Sequence, residues 1–278
     1  MGTSLFKMPF DIEKTKVTPI YRNPVLDQAE VETITCDQIK EIYGELKFQK
    51  LHEDRPYTYT SLVTSIDGRI AFTDAPQGPL IAKLNKYDPD GANSDWWILN
   101  MLRAVSDGDI IGAGTMSAER DYTCHVFSQE LEDARVAAGM QPVPWNIISS
   151  LDATDIPFDH ILFKTKEVPV MISTSAAGIP VIKEKMEEDY IIIGPVKDKS
   201  EVTDEMIAEM KANTDKVIVI ATGDKAPDSH VALYIMKKFG LDKVLVETPS
   251  YMHYLVSETQ EFSGRRYLQN IAEYISYL

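Results

Sequence analysis

Apolar and polar positions divide the chain into a mixed, polar opening of about 54 residues and a longer part in which strand-like and helix-like patterns alternate. In the opening, Cys36, Ile39, Ile42, Tyr43 and Leu46 recur at helical spacing, with Asp37 near the start. This spacing predicts a short helix over Thr35 to Lys47, in an extension packed on a body or used as a partner-binding arm. From Arg55 the pattern changes. Tyr57 to Thr64 is rich in β-branched and aromatic residues and runs into Ser65-Ile66-Asp67-Gly68, a strand followed by a turn. Asp74 to Asn93 carries Gly, Pro, Asn and Asp and predicts a long loop of the kind that is commonly functional. Ser94 or Asp95 then opens a helix through Trp96, Trp97, Leu99, Leu102 and Ala104. A short apolar strand, Asp109 to Ile111, runs into Gly112-Ala113-Gly114-Thr115.

Pro142 to Pro157 looks irregular. Beyond it the chain predicts strands at Val168–Ser173, Tyr190–Ile193, Lys216–Ala221 and Lys243–Glu247. Helices are predicted at Asp204–Ala212 and Ser229–Phe239, the second stopped by Gly240, with two more at Pro249–Gln260 and Tyr267–Tyr277. Such alternation implies an α/β sheet with right-handed crossovers, whose ligands lie at the carboxyl ends of the strands. No internal repeat or low-complexity segment interrupts it.

Composition narrows the function classes. Of 278 residues, 44% are hydrophobic and 26% charged, and the mean hydropathy is −0.19, so the chain reads as an ordinary globule large enough for one sizeable core or two modest ones. The formal net charge of −15 argues against general nucleic-acid binding, which needs cations to neutralise phosphates. It leaves room for a small anionic ligand held by a few local cations. No apolar run approaches the length of a membrane helix, and Met1 to Phe10 shows no secretory pattern. Cys36 and Cys124 stand far apart, without a CxxC pair, so neither a disulfide framework nor a metal site is expected and the cytoplasm is the default compartment.

Four features could carry chemistry. Gly112 and Gly114 after a buried strand allow close backbone approach, and with the Thr115 hydroxyl could bind phosphate oxygens; a plain strand-to-helix turn reads equally well. Neither a Walker loop nor a full GxGxxG fingerprint is present. Arg103, near the end of its helix, is either a surface arginine or a bidentate grip on a phosphate. Glu247 closes an apolar strand where α/β ligands bind, or caps the following helix. Ser65, Asp67 and Gly68 form a turn after the first strand.

The order and spacing of these features resemble one family. Arg55-Pro56-Tyr57 with Ser65-Ile66-Asp67-Gly68-Arg69-Ile70-Ala71, then Leu102-Arg103-Ala104 with Asp109 to Thr115, then Gly240 to Glu247, are similar to three successive blocks of the pyrimidine reductases of riboflavin synthesis. The resemblance covers roughly Arg55 to Gln260. It implies a dihydrofolate-reductase-like α/β fold, with a mixed, mostly parallel sheet flanked by helices. The chain then divides into an N-terminal extension, 1–54, and a reductase domain, 55–278. The implied reaction is NADPH-dependent reduction of 5-amino-6-(5-phosphoribosylamino)uracil to its ribityl form. By the same resemblance Val63, Gly112, Gly114, Thr115, Glu119, Ser173, Thr174, Thr248, Ser250 and Tyr251 lie on the cofactor side. Arg103 grips the phosphoribosyl group of a small phosphorylated pyrimidine, Glu247 meets the substrate, and Asp67 and Glu247 are the acids for proton transfer. A homodimer is also implied.

The chain departs from the family at three places. Ser61 stands where many members have a lysine, and Glu247-Thr248-Pro249-Ser250 replaces a Glu-Gly-Gly turn. The stretch after that turn reads as helix where the family continues with strands. No zinc deaminase motif accompanies the reductase blocks, since His52 and Glu53 are adjacent rather than spaced. Two alternatives stay open: a pterin- or folate-type NADPH reductase on the same fold, and a non-catalytic member that binds a nucleotide or a partner.

Overall fold

The computed structural model describes residues 2–18, 24, 31–44, 46–48, 52–61, 63, 71–75, 77–88 and 90–247. The turn at 65–68, with Asp67, lies outside the described residues, as do Thr248, Ser250, Tyr251 and both helices expected after Pro249.

The elements in chain order are β1 (Val31–Glu32), β2 (Lys47–Phe48), β3 (Tyr57–Thr60), α1 (Leu80–Lys83), α2 (Gly91–Val105), β4 (Gly108–Gly112), α3 (Ala113–Ala118), α4 (Gln129–Ala137), β5 (Trp145–Ser149), α5 (Ile161–Lys164), β6 (Val170–Thr174), α6 (Gly178–Lys185), β7 (Tyr190–Val196), α7 (Asp204–Ala212), β8 (Val217–Thr222), α8 (Ser229–Phe239) and β9 (Lys243–Val246). Among the described residues seven strands form one sheet in the order β3-β9-β4-β5-β6-β8-β7, and every pairing in it is parallel. β1 and β2 make a separate antiparallel ribbon. The expected α/β class is therefore present, with the sheet parallel throughout.

Parallel strands covered on both faces become continuous apolar runs, and β8 is one, with all six residues buried. One face carries Ile110, Ile147, Met171, Ile218 and Val244 against Leu233, Met236 and Phe239 of α8. The other carries Ile111, Ile148, Ile172 and Val219 against Leu162, Ile182 and neighbours. A third cluster joins Tyr57, Tyr59 and Leu245 to Trp97, Met101 and Ala104 of α2, and Ile34, Ile39 and Phe48 of the N-terminal extension add to it. The extension is thus packed on the body.

Local chemistry sets the helix ends. Thr203 and Asp228 accept hydrogen bonds from Met206 N at 3.3 Å and Val231 N at 3.1 Å, capping α7 and α8. Gly240 ends α8 at φ 120°, and Leu241 N then closes on Met236 O at 3.0 Å, as a left-handed glycine stop allows.

Three expectations need correction. Pro142 to Pro157 is not irregular throughout, since it contains β5 at the centre of the sheet. The prolines sit in its flanks, and the buried polar residue within it, Asn146, is satisfied by bonds to Cys124 N (2.8 Å), Cys124 O (3.1 Å) and Pro144 O (3.0 Å). Asp74 to Asn93 is not wholly loop, because it holds α1 and the start of α2. The helix expected over Thr35 to Lys47 shortens to a π-helical turn, Ile39–Tyr43, ended by Gly44 at φ 89°.

Candidate functional site

β9 inserts between β3 and β4, so three segments far apart in sequence finish side by side at the carboxyl edge of the sheet. These are the end of β3 at Thr60, the β4–α3 corner at Gly112 to Thr115, and Glu247 directly after β9. Glu247 N donates to Ile110 O at 2.9 Å, which fixes Glu247 beside β4. Asp109 pairs in register with Leu245. Side chains alternate along a strand, so Glu247, two residues beyond Leu245, projects from the same face as Asp109. That face is covered by α2, which carries Arg103.

Arg103 and Asp109 have fully buried side chains, and that of Glu247 is 10% exposed. Arg103 grips Glu247 as a fork, with Nε to Oε1 and Nη2 to Oε2 both 2.6 Å. Nη2 also donates to the Tyr122 hydroxyl, and Nη1 reaches His125 O at 3.4 Å. The guanidinium carbon lies 5.6 Å from the Trp96 ring centre and 5.0 Å from that of Tyr122. Asp109 receives less, only an edge contact from Arg103 Nε at 3.3 Å. Among the described residues no nitrogen or hydroxyl donor makes a well-formed hydrogen bond to either of its oxygens; its near neighbours there are the Cys124 thiol and the Glu247 carboxyl. One donor atom from each of Asp109, Cys124 and Glu247 lies within 4.8 Å of the others.

Burial and charge divide these groups. Burial pushes the Glu247 carboxyl up, but Arg103 outweighs it and holds the group below the usual range. Burial, with the negative Glu247 beside it, drives Asp109 well above the usual range. Burial and the two acids raise the Cys124 thiol in the same sense. Asp95, on α2, is raised to about 6 by burial and by Glu247. Glu119 is raised by burial, partly countered by the Gly78 backbone N–H, with Glu247 adding a smaller upward push. His125 is depressed to about 4 by burial. The site is an acidic cluster organised around one guanidinium.

The structure joins Arg103 to Glu247 and brings Glu119 within electrostatic reach of both. It turns Arg103 inward, however, with its donors committed to Glu247, Tyr122 and a backbone carbonyl. Gly112 and Gly114 do not form a glycine loop: Gly112 caps α3 at φ −86°, and Gly114 and Thr115 lie in its first turn. A Cβ on Gly114, which is exposed, would meet none of the described residues within 4 Å, so this corner is open on their side. Thr115 is half-buried there, as is Val63 beyond β3. Ser173 and Thr174 end β6, two strands from β4, about 10 Å across the sheet. Both are buried, and Thr174 Oγ1 lies 3.4 Å from Leu151 O, so neither side chain opens to the Gly114 corner.

Sequence reasoning missed Asp95, Asp109, Tyr122 and Cys124. One signal was available for Asp109, a carboxylate inside a run of buried apolar positions, which requires a partner.

The fold and site define a parallel α/β protein with a buried, arginine-centred acidic cluster at the carboxyl edge of its sheet. No protein-family model and no curated protein matches the chain. Among solved structures it is similar to a pyrimidine reductase-like protein from Corynebacterium diphtheriae, at 16% identity and a TM-score of 0.49, over 80% of this chain and 76% of that one. No helix among the described residues is long and apolar enough to cross a membrane.

Proposed function

We propose that the chain is an NADPH-dependent reductase of the riboflavin-type pyrimidine reductase class, acting on 5-amino-6-(5-phosphoribosylamino)uracil. One observation carries this reading. The described parts of the three sequence blocks that resemble that family run into β3 at Tyr57, through β4 from Asp109, and through β9 from Lys243, adjacent strands whose carboxyl ends meet at one edge. Ligands of parallel α/β sheets bind at such edges.

The open surface over Gly114, with Thr115 beside it, fits a cofactor that approaches backbone closely; the buried Ser173 and Thr174 do not add to it. When bound, the nicotinamide supplies the hydride. The protein then has to orient the substrate and provide a proton. Glu247, ionised against Arg103, suits the acceptor role toward substrate N–H or O–H groups. Asp67 is the further acid proposed for proton transfer.

The burial of Arg103 favours a second reading, a reductase whose substrate lacks a phosphate, such as a pterin or dihydrofolate. A guanidinium neutralised by Glu247 offers little attraction to a further anion.

The test is NADPH binding, read by quenching of Trp96, Trp97 and Trp145 fluorescence with NADH as control. NADPH consumption follows, with the phosphoribosylaminopyrimidine and with dihydrofolate. Turnover of the first supports the proposal and turnover of the second alone supports the alternative. Absence of any nicotinamide binding overturns both. A homodimer, the assembly implied by the resemblance, is read from the mass in light scattering.

A further inference from the structure

Among the described residues the acidic cluster contains one positive charge too few. Arg103 faces the fully buried Asp109 and the largely buried Glu247, and the fork to Glu247 takes two of its donors. Two ionised carboxylates and one guanidinium leave a net negative charge among largely buried side chains, which is unfavourable. Among the described residues the other groups facing the pair do not supply a cation. They are Asp95 from α2, Glu119 at the end of α3, and Tyr122, Cys124 and His125 from the segment that follows. His125 is neutral at pH 7, since burial depresses it to about 4. The two carboxyl groups approach one another, and among the described residues the only donor beside Asp109 apart from Arg103 is the weak S–H of Cys124. Carboxylates arranged this way can bond only if one carries a proton.

We propose that Asp109 holds that proton as a neutral carboxylic acid donating to Glu247, and that Arg103 is a counter-ion shared between the two carboxyls, so that displacing Glu247 from Arg103 ionises Asp109 and releases the proton. The geometry allows the exchange, because Arg103 Nε already lies 2.6 Å from Glu247 and 3.3 Å from Asp109. A ligand that draws Glu247 outward with its own N–H or O–H groups leaves the guanidinium to Asp109. The Asp109 O–H bond then breaks, its electron pair stays on the carboxylate, and the proton passes to Glu247 or to a basic atom of the ligand. No electrons are transferred. Use of this proton as the one that accompanies hydride transfer rests on the reductase reading; its presence does not.

The decisive measurement is infrared spectroscopy of the ligand-free full chain at pH 8. A protonated carboxyl gives a C=O stretch above the carboxylate region, sensitive to exchange into deuterium oxide. Wild type minus Asp109→Asn is expected to show one such band. Glu247→Gln mimics a displaced Glu247 and is expected to lose the band while Asp109 ionises against Arg103. Absence of the band from the first difference spectrum overturns the proposal, and its persistence in Glu247→Gln overturns the exchange. Should Glu247→Gln not fold, the near-isosteric Asp109→Asn comparison decides alone. Zinc bound one to one and lost in Asp109→Asn also overturns it, since a metal would then balance the charge. In turnover, Asp109→Asn is expected to lower kcat at unchanged KM. If wild type reduces none of the substrates the reductase reading fails, and the infrared result stands independently.

Discussion

Replacing Arg103 with methionine removes the guanidinium while keeping a long apolar side chain between Trp96 and the sheet. Glu247 then loses its counter-charge, and Asp109, Asp95 and Glu119 remain around it. Removing one partner of a buried pair costs about 3–5 kcal/mol. A second route gives a similar magnitude. Glu247 can escape the penalty by protonating, and a carboxyl whose ordinary value is 4.5 takes up a proton at pH 7 at a cost of about 3.4 kcal/mol. The lower of the two costs prevails, so the expected loss at pH 7 is about 3 kcal/mol, or on the order of 10 °C in Tm for a domain of this size. The same argument fixes the pH dependence. In wild type Glu247 lies below its unfolded value, so its contribution is present above that value and is lost as pH falls through the folded one. In Arg103→Met the carboxyl lies above its unfolded value, so the variant loses stability as pH rises. At pH 5 protonation costs only about 0.7 kcal/mol, and the gap between the proteins narrows accordingly. Urea unfolding followed by tryptophan fluorescence, at pH 5, 6, 7 and 8, measures it. A gap below about 1 kcal/mol at pH 7, or one that does not change with pH, refutes the account of Arg103 as the counter-ion of a buried Glu247.

Gly114→Ala adds a methyl group to open space in the first turn of α3 and is expected to leave stability unchanged or raise it by up to about 1 kcal/mol; weaker NADPH binding without loss of stability places the cofactor there, and unchanged binding removes Gly114 from the site. His125 lies below its unfolded value, so the unfolded chain binds the extra proton and stability falls as pH drops from about 6.5 toward 4. His125→Gln is expected to flatten that limb of the stability profile; an unaltered limb assigns it to other groups. Buried Cys124, with its thiol raised by burial and two acids, is expected to react with a disulfide reagent only on unfolding, leaving Cys36 as the sole cysteine modified in the native state. Modification of both at similar rates in the native protein contradicts the buried cluster.

Helices α7 and α8 were legible to the residue because their signals are local: a hydroxyl or carboxylate cap, a helical apolar spacing, and Gly240 at the end. β5 was not legible, because prolines flank it and its asparagine is satisfied largely by Cys124, 22 positions away. Gly112 to Thr115 was located correctly as a strand-to-helix corner, but the glycines implied a loop where a helix begins. Arg103 and Glu247 were each singled out, without any indication that they touch.

The sequence by itself determined the alternation of elements, hence the parallel α/β class, and it placed Glu247 and the Gly112 corner at strand ends, because backbone periodicity and caps act over a few residues. Only the tertiary structure decided the charge state of the site. Insertion of β9 between β3 and β4 sets Glu247 against Arg103, 144 positions away, and leaves Asp109 with half a counter-ion. Whether a carboxyl is ionised depends on what surrounds it in space, and strand order is a long-range choice that no local pattern encodes.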